Sequence, residues 1–161
     1  MKKLLVPIDF SDVTNLVVEN AKLIAKSIDA ELKIIHVIAP LEEMNAQNAG
    51  NIGIGGVFVE PVTYGNIRDG LAKELKNEHK MMLEIKQKLM DEGLKVKTSL
   101  LEGKVAGTIL SQIEEYCPDI IIAGSHGHGL VKKALLGSIT MMMLKHVKCP
   151  IMIVPSGIKQ K

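Results

Sequence analysis

Ile120-Ile121-Ile122-Ala123-Gly124-Ser125-His126-Gly127-His128-Gly129 is the stretch whose reading decides the fold of this chain. Its four leading apolar residues, three of them β-branched, read as a strand buried on both faces, as in a parallel sheet. The run breaks into glycine and histidine. Gly137-Ser138 then leads into a helix expected from about Ser138 to His146. A buried strand, a glycine-rich loop and a helix in that order make the βα unit of an α/β protein.

Working outward, the rest of the chain repeats this alternation. Leu4-Leu5-Val6-Pro7-Ile8 is another short apolar run, ending at Asp9. Ser11 or Asp12 is expected to cap the next helix through a side-chain oxygen. Val17, Ala21, Ile24 and Ile28 recur there at helical spacing and form one apolar face. Leu32 to Ile38 reads as a strand. Leu71 to Met90 reads as an amphipathic helix with Leu71, Leu75, Met82, Ile85 and Leu89 on one side, ended by Asp91-Glu92-Gly93, glycine being usual just past a helix. Val96 to Leu101 is a strand. Val105, Ile109, Ile113 and Tyr116 line a helix stopped by Pro118, and Pro150 to Pro155 holds the last strand. The pattern predicts an α/β fold whose parallel sheet is covered by helices on both faces. Ligands of such folds sit at the carboxyl ends of the strands, where the topology switches direction. That rule points to Asp9, Val37 and the loop after Ala123.

One segment departs from the pattern. Residues 39–69 hold Gly50, Gly53, Gly55, Gly56 and Gly65 with Pro40 and Pro61, and show little periodicity. A connection this long is usually functional or mobile. Val57-Phe58-Val59 is its one part apolar enough to pack locally, and the segment is expected to act as a lid.

Composition narrows the function. The chain of 161 residues suits one domain, and a chain this size buries about 70% of its unfolded surface. It therefore needs neither disulfides nor metal to fold. Net charge is +2, from 20 Lys+Arg against 18 Asp+Glu, which is too balanced for a nucleic-acid or membrane footprint. Aromatics are only 2% of residues, with no Trp, so a stacking platform for bases is not expected. Cys117 and Cys149 lack metal-ligand spacing. Met1-Lys2-Lys3 before Leu4-Leu5-Val6 imitates a leader peptide, but Pro7 and Asp9 end the apolar run too soon. No run approaches the roughly 20 apolar residues that span a bilayer. A soluble, cytoplasmic, single-domain protein is expected.

The glycine loop has two readings. Its glycines let backbone approach a phosphate, and the free N–H groups of the following helix favour an anion, with Ser138 and Thr140 adding hydroxyls. Alternatively it is a plain strand-to-helix loop. Familiar dinucleotide and phosphate motifs fail: Lys132 stands where Gly127-His128-Gly129 would need a third glycine, Phe58 does the same for Gly53-Ile54-Gly55, and after Gly124 to Gly129 Leu130-Val131 stands where a P-loop has Lys-Ser/Thr. Asp9 is either a turn cap or a ligand group. His126 and His128 find no carboxylate or cysteine in their loop to complete a metal set; they read as donors beside phosphates. Lys132 and Lys133 either meet a phosphate or face solvent. His36 reads as a satisfied structural histidine, His79 and His146 as helix-surface residues. Met141-Met142-Met143 reads as core or interface packing in preference to a soft metal site.

Gly124-x2-Gly127-x9-Gly137-Ser138 is similar to the ATP-binding signature of the universal stress protein family. Leu5-Val6-Pro7-Ile8-Asp9-Phe10-Ser11 resembles the first strand and turn of that family, and Cys149-Pro150-Ile151-Met152-Ile153-Val154-Pro155 its last strand. The resemblance implies a doubly wound, adenine nucleotide alpha hydrolase-like sheet of five parallel strands in the order 3-2-1-4-5. Asp9 would then stand beside Gly124. It implies that Pro7 backbone and Val37 hold adenine, and that Asp9 lies near ribose and triphosphate and helps hold Mg2+ or Mn2+. It implies that Gly124, Gly127 and Gly137 with Ser138, Ile139 and Thr140 wrap ribose and phosphates, while Ala123, Ser125, His126 and His128 line the site. It implies a homodimer through the last strand, residues 150–154. ATP then acts as ligand of a nucleotide-dependent regulator in the stress response. No arginine finger, base or second carboxylate near the loop is evident for rapid phosphoryl transfer. The rivals are a slow ATPase, an autophosphorylating protein modified at Ser138 or Thr140, and a nucleotide-free dimerisation module. Adenine would be gripped by aliphatic surface and backbone unless Phe10 or Phe58 turns in.

Overall fold

A computed structural model describes residues 1–39, 64–126 and 136–155, with the backbone alone for 64–69 and 71. Gly127, His128, Lys132 and Lys133, together with residues 40–63 of the lid expected over 39–69, lie outside the described residues. The elements run β1 (Lys2–Ile8), α1 (Thr14–Ile28), β2 (Ala30–Ile38), α2 (Tyr64–Asp91), β3 (Lys95–Glu102), α3 (Val105–Tyr116), β4 (Ile120–Gly124), α4 (Ser138–His146) and β5 (Ile151–Val154). They form one five-stranded parallel sheet of order β3-β2-β1-β4-β5, as the resemblance implied.

Strand alternation sorts the core into two layers. Leu4, Val6 and Ile8 of β1, with Leu32, Ile34 and Ile122, pack under Val17, Ala21 and Ala25 of α1 and Met82 and Leu89 of α2. Leu5, Ile35, Val37, Ile121 and Ala123 face the other way, onto Ile109 and Ile113 of α3 and Met143 of α4. Successive strand side chains point to opposite faces, so these runs without a polar break feed both layers. Each fully buried Leu, Ile or Met contributes roughly 1.5–3 kcal/mol through lost apolar surface.

Helix ends account for most departures from expectation. Neither Ser11 nor Asp12 caps α1; its N-cap is Val13, with no side-chain cap bond. The Ser11 hydroxyl donates instead to Asp9 Oδ1 at 2.6 Å, and its N–H donates to the same oxygen at 3.1 Å. Phe10 is held at φ 57° in the turn that results. Ile28 is 40% exposed, at the position where α1 ends on a left-handed Asp29. α2 starts at Tyr64, seven residues before the expected Leu71, since glycine weakens a helix interior without stopping it. At its other end the expected stop holds. Leu94 N–H reaches Leu89 O at 3.1 Å and Gly93 N–H reaches Met90 O at 2.9 Å, with Gly93 at φ 85°: a Schellman closure.

Candidate functional site

The chain moves outward from β1 to β2 and β3, then returns to place β4 on the other side of β1. Between the carboxyl ends of β1 and β4 the two connections leave in opposite directions, and a crevice opens there. It is a cavity of about 250 Å³.

Ten of the residues singled out in the sequence line it. Pro7 and Asp9 come from β1 and its turn, Val37 from β2, Ala123, Gly124 and His126 from β4 and beyond, and Gly137, Ser138, Ile139 and Thr140 from the start of α4. Ser125 is not among the lining residues. It is 5% exposed and ties the wall together: its N–H donates to Val154 O at 2.8 Å, and its carbonyl accepts from Gly137 N–H at 2.7 Å. Its Oγ lies 3.1 Å from His126 Nδ1. Thr140, 4% exposed, donates its hydroxyl to Gly124 O at 2.9 Å. β4, β5 and α4 are thus bolted together where the glycine signature begins and ends.

The start of α4 suits an anion. Gly137 is its N-cap in extended backbone, no side chain caps it, and its first turn carries no acidic residue. Lys145 and His146 occupy the last turn, where cations complement the helix dipole. The leading N–H groups of α4 have no partner within the helix. Gly124 admits no side chain: a Cβ would stand 2.8 Å from Val13 Cγ1 and 3.2 Å from His126 O.

Asp9 is the one carboxylate lining the cavity among the described residues. Oδ1 holds the Ser11 turn. No group of three or more His, Cys, Asp or Glu able to hold a metal occurs among the described residues. A single carboxylate nevertheless fits Mg2+, which is commonly held by one or two carboxylates together with substrate phosphates. The floor of the turn rests on His36. Its Nδ1 donates to Ile8 O at 2.9 Å, its Nε2 lies 3.4 Å from Glu78 Oε2 of α2, and the Phe10 ring meets it edge-on at 4.8 Å. His36 is therefore the satisfied structural histidine expected, and Phe10 packs on it without lining the cavity.

Sequence reasoning missed the apolar remainder of the lining: Ile8, Val13 and Val17 on one part, Ile35, Val105, Ile109 and Met143 on another, and the polar Thr14. Val105 and Ile109 open α3 one turn apart, and Val13 and Thr14 open α1. A helix start after a strand beside the switch point is the signal that could have found them.

Comparison with known proteins agrees with this layout. The family model described as the universal stress protein family matches residues 1–51 and 58–155. Universal stress protein MJ0577 of Methanocaldococcus jannaschii is 31% identical over 156 residues, covering 95% of this chain and 94% of its own. The solved structure of MJ0577 superimposes with a TM-score of 0.73 at 30% identity over 98% of both chains. A universal stress protein family protein from Arabidopsis thaliana, solved with AMP bound, shares the fold at a TM-score of 0.59 and 17% identity, over 98% of this chain and 93% of its own. With the 3-2-1-4-5 sheet, the crevice between β1 and β4 and a family match over nearly the whole length in agreement, this chain belongs to the universal stress protein family.

Proposed function

We propose that the protein is a single-domain, cytoplasmic, homodimeric regulator that binds ATP with Mg2+ or Mn2+ in the crevice between β1 and β4. The observation that carries this reading is the uncapped start of α4 meeting Asp9 and the glycine ends of the signature in one cavity. In it the leading N–H groups of α4, those of Ser138, Ile139 and Thr140, receive phosphates together with the Ser138 hydroxyl. Val37, Ile35 and Ile109 supply an aliphatic wall for adenine, and Pro7 backbone lies beside it. Asp9 serves as the carboxylate ligand of the cation, which neutralises phosphate charge. Gly127 and His128 complete the cradle. The AMP held by the Arabidopsis neighbour supports an adenine nucleotide as the ligand class.

Dimerisation through residues 150–154 is part of the same reading. β5 pairs with β4 along one side and ends the sheet on the other. Met141 and Leu144 of α4 are 40% and 46% exposed. An exposed strand edge beside apolar side chains favours pairing with a second copy. No helix among the described residues is long and apolar enough to cross a membrane.

The test is mass spectrometry of the supernatant of the denatured protein, followed by calorimetry with ATP and Mg2+. An adenine nucleotide released in proportion to protein, or saturable ATP binding, supports the reading. Neither being found overturns it in favour of a nucleotide-free dimerisation module.

Slow phosphoryl transfer is a second reading. Of the two hydroxyls expected to take a phosphoryl group, Ser138 lines the cavity at the start of α4, whereas the Thr140 hydroxyl is engaged by Gly124 O. Steady phosphate release abolished by Asp9→Ala would favour an ATPase. Phosphate retained on the protein would favour autophosphorylation.

A further inference from the structure

Thr14 is a buried polar side chain whose hydroxyl is unpaired among the described residues. It opens α1 and is 5% exposed. Its Oγ1 is shielded from solvent. Buried hydroxyls are almost always paired, and one left unpaired destabilises the fold. Thr14 also lines the crevice. Around it α1 is pressed against β4, since the neighbouring Val13 leaves no room for a Cβ on Gly124. No side chain caps α1, and its first turn has no acidic residue. The Thr14 N–H donates to Ser11 O at 2.9 Å, and the start of α1 as a whole presents the positive end of the helix dipole.

We propose that Thr14 is a further ligand-binding residue, whose hydroxyl pairs with an oxygen on the sugar–phosphate part of the bound nucleotide. The proposal rests on the nucleotide reading above. Threonine in a helix divides between two χ1 wells. A turn of about 120° from one well to the other carries the hydroxyl to a neighbouring staggered position, so it reaches the ligand with no backbone movement. The hydroxyl thus weakens the free protein and strengthens the complex, and its removal has opposite effects on the two.

The test compares wild type, Thr14→Val, which keeps shape but not the hydroxyl, and Thr14→Ser, which keeps the hydroxyl. Thermal unfolding of nucleotide-free protein is combined with calorimetry using ATP with Mg2+, and adenosine. Thr14→Val is expected to raise Tm by about 2–4 °C and to weaken ATP binding by about three- to tenfold. Thr14→Ser is expected to restore affinity. Weakening for ATP alone assigns the contact to a phosphate; equal weakening for adenosine assigns it to the ribose. Wild-type affinity in Thr14→Val, or a lower Tm, overturns the proposal while leaving the nucleotide reading intact. Wild-type protein that binds neither ligand overturns both.

Discussion

The hydroxyl of Thr140 donates a 2.9 Å hydrogen bond to the carbonyl oxygen of Gly124, joining the first turn of α4 to the last residue of β4. This bond sets where the α4 start stands relative to the strand end. Thr140→Val removes the donor, keeps the shape and takes this partner from a part-buried carbonyl. Stability in urea unfolding should fall by about 1–3 kcal/mol, with ATP affinity falling alongside. Thr140→Ser should recover both, and a Thr140→Val protein with wild-type stability would show that the bond contributes nothing.

Gly124 is confined from two sides. A methyl there must push Val13 Cγ1 from 2.8 Å and the His126 carbonyl from 3.2 Å. The valine end can turn aside, but the carbonyl belongs to backbone. Gly124→Ala should destabilise by about 1–3 kcal/mol, the usual range for overpacking. It should also reduce ATP binding in calorimetry. Unchanged values in both assays would mean that the β4–α1 seam is looser than its distances indicate.

Asp9→Asn retains an oxygen to accept from Ser11 and so preserves the turn, while removing the charge offered to a cation. Binding of ATP should weaken about ten- to a hundredfold in the presence of Mg2+, as loss of a charge-assisted contact implies. Binding measured with EDTA should change far less. An identical Mg2+ dependence in variant and wild type would take Asp9 out of the cation site.

Tyr116 supplies a pH dependence remote from the site. Its hydroxyl donates to Glu31 Oε1 at 2.9 Å, and Lys3 and Lys33 stand 5.1 Å from the ring centre. Burial, then the Glu31 carboxylate, push the phenol well above its ordinary value of 10.0. A raised folded-state pKa favours the protonated form, so this contribution is complete below about pH 10 and is lost as pH rises further. Tyr116→Phe should be less stable by about 1 kcal/mol at neutral pH and should lose less stability above pH 10. Parallel pH profiles of urea midpoint would contradict this.

Ile153 lies on the sheet edge that the dimer reading uses. Ile153→Lys places a charge there and should shift sedimentation from dimer to monomer, with little effect on the far-ultraviolet circular dichroism of the subunit. A variant that stays dimeric would place the interface elsewhere.

Much of this was readable from residue order alone, because strands buried on both faces leave uninterrupted apolar runs. Ile120 to Ala123 and Leu4 to Ile8 announced central strands that way, and Gly93 announced the end of α2. The glycine signature and its flanking ends already contain much of the cavity lining, Pro7, Asp9, Gly124, His126, Gly137 and Ser138 among it. Local pattern was less able to say which oxygen a serine would choose. Ser11 turns back to Asp9 instead of capping α1, because the carboxylate accepts both its N–H and its hydroxyl. The start of α2 at Tyr64 was hidden because Gly65 and Gly70 imitate a loop.

The sequence by itself determined the alternation of buried strands and amphipathic helices. It follows from the period of side chains along a single element. Tertiary structure decided what no period records, namely which elements become neighbours. It set β1 between β2 and β4 and stood His36 between Ile8 and Glu78. It also buried the Thr14 hydroxyl beside the crevice. Periodicity tells a side chain that it is buried; only packing between distant segments determines what it is buried against.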